Sequence, residues 1–236
     1  MEFAEPFVPA PLRARFRAWG TLLAEIERSL LLPSDPNLAL QRLAWWHEEL
    51  GMRQPQHPVA RALAASGMEP GLAAPVAGAA AMLSQDEAAP NDAGAAVARF
   101  RDYGTAVLRA EQALFGGEPG PDAGELVGIG LLVRWSPRLG GQARLREYLP
   151  LQLLARHPQA ADGGAPAQAL AIDLGRALHG APRDTARLPL FRALRWRFEA
   201  HRLTRLAAGV SPDPERPAPG PLRATLLAWR TARRHR

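Results

Sequence analysis

Apolar residues return every three or four positions along nearly the whole chain, and that period dictates helices. Leu12, Phe16, Trp19, Leu23, Ile26 and Leu30 form one stripe over a predicted helix spanning 11–30. Pro11 suits its first turn. Pro33-Ser34-Asp35-Pro36 then breaks the chain and offers capping groups. Further helices are predicted over 37–50, 58–65, 72–83, 93–115, 123–135, 167–178, 185–208 and 222–233, with a short helical turn ending near Arg156. Residues 84–92 read as a polar connection and 159–166 as a flexible link. The segment 123–135 is apolar all round and should be central. Strand-like alternation is almost missing, and Val, Ile and Thr are sparse. The expectation is an all-α fold of about eight to ten helices joined by short connections.

Charge divides the chain unevenly. All 29 basic residues are arginine, and the formal net charge is +6. Residues 1–182 hold 16 Arg against 19 acids, a net of −3, while 183–236 hold 13 Arg against 4 acids, a net of +9. A basic surplus of this kind is either a solvated arginine-rich helix face or a surface for an anionic partner. The last predicted helix sets Leu222, Leu226, Leu227 and Trp229 among arginines, which suits contact with an anionic membrane surface. Absence of lysine beside abundant alanine reflects coding bias more than function. Absence of cysteine excludes disulfides, thiolate metal sites and cysteine nucleophiles. No apolar run approaches the roughly 18 residues of a membrane span. Acidic residues stand near the N-terminus where a signal peptide would carry base, so the expected location is cytoplasmic, with peripheral contact at the inner membrane face as an extension.

Few residues carry chemical motifs. The histidines, His47, His57, His157, His179, His201 and His235, lie at no metal-ligand spacing. Gly128-Ile129-Gly130 falls inside a helix with no preceding strand, so close helix packing or access for a ligand explains it better than a nucleotide loop. Ser136 and Ser211 lack a nucleophile-elbow context. Trp45-Trp46 is more distinctive. Adjacent helical residues cannot share a face, so one indole should fill the core and the other line a cavity or an interface.

The order of several strings resembles the squalene/phytoene synthase family over about residues 10–208. Leu43-Ala44-Trp45-Trp46-His47-Glu48-Glu49-Leu50 is similar to its Leu-x-Trp-Trp-x-x-Glu-Leu helix. His57-Pro58-Val59-Ala60-Arg61-Ala62-Leu63 is similar to a His-Pro-[Val/Leu]-x-x-Ala-Leu segment. The stretch around Tyr103 and Ala106 resembles a helix carrying Tyr-Cys-x-x-x-Ala-Gly. Tyr148-Leu149-Pro150-Leu151-Gln152-Leu153-Leu154 resembles the stretch after the family's second metal motif. The resemblance implies an isoprenoid-synthase-type helical bundle. It also implies condensation of two prenyl diphosphates, with Mg²⁺ on two aspartate-rich motifs neutralising the leaving group.

This chain departs from that pattern where the chemistry would sit. No Asp or Glu lies between Pro6 and Ala24, and only Glu25 and Glu27 follow, two apart and therefore on different faces. None lies from Leu126 to Arg146, where Arg134-Trp135-Ser136-Pro137-Arg138 stands instead. Gly104 replaces the cysteine of the tyrosine motif. Arg134, Arg138, Arg144 and Arg146 remain as metal-free diphosphate binders, but binding a ground state is not catalysis. A non-catalytic branch of the family, which includes an assembly factor for mitochondrial respiratory complex I, shares the missing aspartates.

The resulting expectation is a synthase-like domain over 1–210. A Pro-rich link and a basic helix over 211–236 should pack on it. The protein is expected to be inactive and to bind an isoprenoid-like lipid, a partner protein, or both. Candidate cavity residues are Glu25, Trp45, Trp46, Tyr103, Arg134, Arg138 and Arg144. No cofactor is expected; Mg²⁺ enters only under the alternative of an active prenyltransferase with a remodelled site. A third reading is an Arg-rich helical adaptor, with nucleic acid the least favoured partner.

Overall fold

The apolar stripe of the first helix sets the centre of the fold. In the computed structural model, which describes residues 2–139, 143–179, 185, 187–210 and 221–234, helix α1 spans Arg13–Leu31. It buries Phe16, Trp19, Leu22, Leu23, Ile26, Leu30 and Leu31, the face its 3.6-residue period presents inward. Helix α2 (Pro36–Gly51) starts where the Asp35 carboxylate accepts the Asn37 N–H at 2.8 Å, and Pro36 occupies the first turn. Helix α3 (Pro58–Ala65) is capped by His57, whose Nδ1 accepts the Val59 N–H at 3.3 Å. The His57 N–H itself donates to Glu49 Oε1 at 2.6 Å. His57-Pro58 is thus a helix start tied back to α2. Helix α4 (Ala74–Gln85) runs against α2, with His47 Nδ1 at 2.9 Å from the Ala74 carbonyl.

The predicted helix over 93–115 is two helices, α5 (Ala93–Ala98) and α6 (Arg101–Phe115). The turn at Arg99-Phe100 drives the Phe100 ring onto Gly128 and against Tyr148, with ring centroids 5.5 Å apart. Helix α7 (Ala123–Trp135) is buried almost all round, as its composition requires, and packs on α5, α6 and later α11. Short helices α8 (Ala143–Arg146) and α9 (Leu151–Arg156) follow. The predicted link 159–166 is instead a 3-10 turn, Pro158–Asp162, followed directly by α10 (Gly164–His179). Gly163 and Gly164 have φ of 80° and 61°, which a glycine pair accepts without strain, so the chain reverses there and continues as helix. Helix α11 (Leu190–Ala207) begins later than predicted because Pro189 adopts an extended ψ of 143° and forms its N-cap. Helix α12 (Pro221–Arg234) packs on α11 and on the N-terminal 3-10 segment Glu2–Phe7.

Twelve α-helices therefore stand among the described residues, against the eight to ten expected. The surplus comes from α5 and α8, which have six and four residues and are too short to show a period, while α9 is the short turn expected to end near Arg156. The Pro-rich link at 211–220 lies outside the described residues. No described helix is long and apolar enough to cross a membrane.

Helices α6 and α7 cross with backbones in contact. A Cβ on Gly104 would overlap the carbonyl oxygen of Gly124, and one on Gly128 would overlap the Phe100 side chain. Gly51, by contrast, ends α2 with nothing within 4 Å. Gly104→Ala should lower stability by about 1–3 kcal/mol, because backbone must move. Gly51→Ala should be neutral or raise it by about 0.4–1 kcal/mol. Urea midpoints of the two variants check the contrast.

Candidate functional site

Four helices bring ionised side chains into the core. On α11, Arg192, Arg195 and Glu199 are spaced three and four residues apart and share one face, and all are buried. On α6, Tyr103 and Glu111 lie eight apart on the face that also buries Val107. Glu27 of α1 follows Ile26 on the inward side, and Arg134 stands in the last turn of α7. Its position there is favourable, since a helix C-terminus attracts a cation.

These groups make two linked ion-pair clusters. Glu27 Oε1 accepts from Arg134 Nη2 at 2.6 Å and from Arg195 Nη2 at 2.7 Å. Glu199 Oε1 accepts from Arg195 Nε at 3.2 Å and also from Arg134 Nη1. Beside this quartet, Arg192 forks onto Glu111 through Nε at 3.0 Å and Nη2 at 2.6 Å. Trp19 Nε1 completes that carboxylate's shell at 3.1 Å. Three carboxylates meet three guanidiniums, so the buried charge sums to zero. Charges taken out of water cost several kcal/mol each, and close pairing, bidentate between Arg192 and Glu111, offsets that cost.

The titration of each group follows from this setting. Burial alone would raise the Glu27 carboxyl, but Arg134, Arg195 and Arg192 overcome it and hold the group below its ordinary value. Burial, then the Arg195 cation, brings the Arg134 guanidinium down to about 9, so it stays charged at neutral pH. Burial and the Glu27 anion push the Tyr103 phenol up, and it remains protonated. Tyr103 Oη, Arg134 Nε, Arg192 Nη1 and Glu199 Oε2 are buried without a hydrogen-bond partner. The Glu199 carboxylate lies against Gly130, where any Cβ would overlap it. Close packing thus accounts for both glycines of Gly128-Ile129-Gly130.

Of the expected cavity residues, the structure brings Tyr103 and Arg134 into this centre. Glu25 lies on the outer side of α1 and pairs with Arg28 at 2.8 Å. Trp46 is buried, whereas Trp45 is 45% exposed and meets Trp46 edge-on at 5.0 Å. Arg138 sits over the Trp135 ring at 5.0 Å. Arg144 is buried elsewhere, donating to the Ser84 carbonyl at 2.7 Å and leaving Nε and Nη1 without partners. Sequence reasoning passed over Arg192, Arg195, Glu199 and Glu111. A readable signal existed on α11: charges at three- and four-residue spacing interleaved with the buried Phe191, Leu194 and Leu203.

The carboxylates at this centre do not fit a divalent cation. Glu27 and Glu199 each give an oxygen to two guanidiniums, and Arg134 and Arg195 would repel the metal from the space between them. Among the described residues no three His, Asp or Glu side chains converge as a metal site. No family model, no curated protein and no solved structure matches this chain.

Glu27→Gln should cost about 3–5 kcal/mol, the usual penalty for leaving a buried cation short of its partner. A carboxyl held low in the folded state stabilises above its unfolded value near 4.5, and that contribution fades as pH falls through the folded value. The substitution should therefore flatten the loss of stability below about pH 4.5. Chemical denaturation of both proteins between pH 3 and pH 7 measures it.

Proposed function

We propose that this chain is a squalene/phytoene synthase-like protein whose catalytic centre has become a self-neutralised ion-pair network. It acts by binding an isoprenoid-like lipid, a partner protein, or both. The single observation that carries this reading is the pairing of Glu27 and Glu199, each through one oxygen, with both Arg134 and Arg195. In the family that the sequence resembles, two acidic motifs on facing helices hold metal ions against a diphosphate. Here α1 and α7 are joined by a carboxylate and a guanidinium from the chain itself.

Ionising an allylic diphosphate requires positive charge that can follow the leaving group. Arg134 and Arg195 are cations, but their charge is matched by Glu27 and Glu199. A diphosphate arriving at this point would have to displace carboxylates already bound at 2.6–2.7 Å. The network consequently favours a neutral apolar ligand or a protein surface over a charged prenyl substrate. The all-α architecture is compatible with the isoprenoid-synthase type, which is the finer part of the proposal. The strings Trp45-Trp46 and His57-Pro58 contribute packing and capping, roles a non-catalytic descendant would retain.

Purified protein incubated with labelled farnesyl or geranylgeranyl diphosphate, with and without Mg²⁺, should form no condensed hydrocarbon and release no diphosphate. A metal-dependent product from well-folded protein would overturn the proposal.

A further inference from the structure

Helix α12 packs by its small residues and leaves its large ones outside. Ala224, Ala228, Thr231 and Ala232 are buried against α11 and the N-terminal 3-10 segment. The opposite stripe carries Leu222, Leu226 and Trp229, spaced four and three apart and 89%, 44% and 43% exposed. Arg233 continues that stripe, its guanidinium 5.6 Å from the centre of the Trp229 ring. Arg223 and Arg230, seven apart and both exposed, flank it on one side. No Asp or Glu occurs anywhere in 221–234.

We propose that this outer face of α12 docks on an anionic phospholipid surface. Leu222, Leu226 and Trp229 would enter the boundary between headgroups and acyl chains. Arg223, Arg230 and Arg233 would reach the phosphates, their aliphatic stems lying along the same apolar level. On the α11 side the surroundings carry the same sign. On α11 the His201 imidazole is pushed down by burial and then by Arg223 and Arg205, which marks a positive field at the junction. On the N-terminal segment, Glu5 is engaged by Arg17 at 3.1 Å.

Charge complementarity decides the occupant. A nucleic-acid surface would use the arginines but leave Leu222 and Leu226 in water. A purely apolar protein groove would leave the arginines unmatched. A bilayer with acidic headgroups matches both sets in one plane. The inference rests on α12 and the elements it packs against, and is independent of the synthase-like reading.

The test is co-sedimentation of the full chain with phosphatidylcholine vesicles, with and without about a third phosphatidylglycerol. Binding to the anionic vesicles, weakened by salt and absent on pure phosphatidylcholine, is the expected result. Arg223→Gln and Arg230→Gln should each lower partitioning about fivefold. The pair Leu226→Ser with Trp229→Ala should abolish it, with helical circular dichroism unchanged because the buried alanine face is untouched. Equal binding to both vesicle types, no binding to either, or anionic binding insensitive to these substitutions would overturn the proposal.

Discussion

The mutual neutralisation of Glu27, Arg134, Arg195 and Glu199 is the constraint on which the rest of the fold depends. Each member comes from a helix already committed to the core; Glu27, Arg195 and Glu199 are buried, and Arg134 alone keeps a fifth of its side chain exposed. Their geometry therefore fixes how α1, α7 and α11 sit in register with one another. Hydrophobic burial supplies most of the driving force for such a bundle, but it tolerates sliding and repacking. Ion pairs at 2.6–2.7 Å do not. The Arg192–Glu111–Trp19 cluster extends the same constraint to α6.

The helix that makes this possible is α7. It carries almost no polar side chains until its last turn, so it can sit at the centre with few polar groups to satisfy. Its glycines then give room in sequence: Gly124 for the α6 backbone, Gly128 for Phe100, and Gly130 for the Glu199 carboxylate. Arg134 at its end delivers one cation between two acids. A larger residue at Gly130 would push Glu199 away from Arg134 and Arg195 and undo the neutrality.

The long helices were legible in the sequence because their apolar stripes run for three turns or more. The segments 58–65 and 123–135 were found with the observed ends, since Pro58 and Pro137 mark them chemically. The break at Arg99-Phe100 was not legible, because its cause is tertiary: Phe100 leaves the helix to cover Gly128 and Tyr148. Nor was the continuation through Gly163-Gly164, where glycine composition suggests a link but positive φ values make a tight reversal. The site was half visible. Opposite faces for Glu25 and Glu27 follow from their spacing, yet only the fold decides that Glu27 points inward. Its partners on α11 lie more than 160 residues away in sequence, and no local pattern links them.

A centre that neutralises its own charge is a structural keystone first, and any ligand must be taken elsewhere or by displacement. A double-mutant cycle on Glu27→Gln and Arg134→Met, read by urea denaturation, tests that most directly. Each single change leaves one uncompensated charge in the core, whereas the pair leaves Arg195 and Glu199 balanced. The account predicts a strong favourable coupling, with the double variant close in stability to the better single one or above it. Additive losses would mean that Glu27 and Arg134 act independently, and that the network does not hold the bundle together.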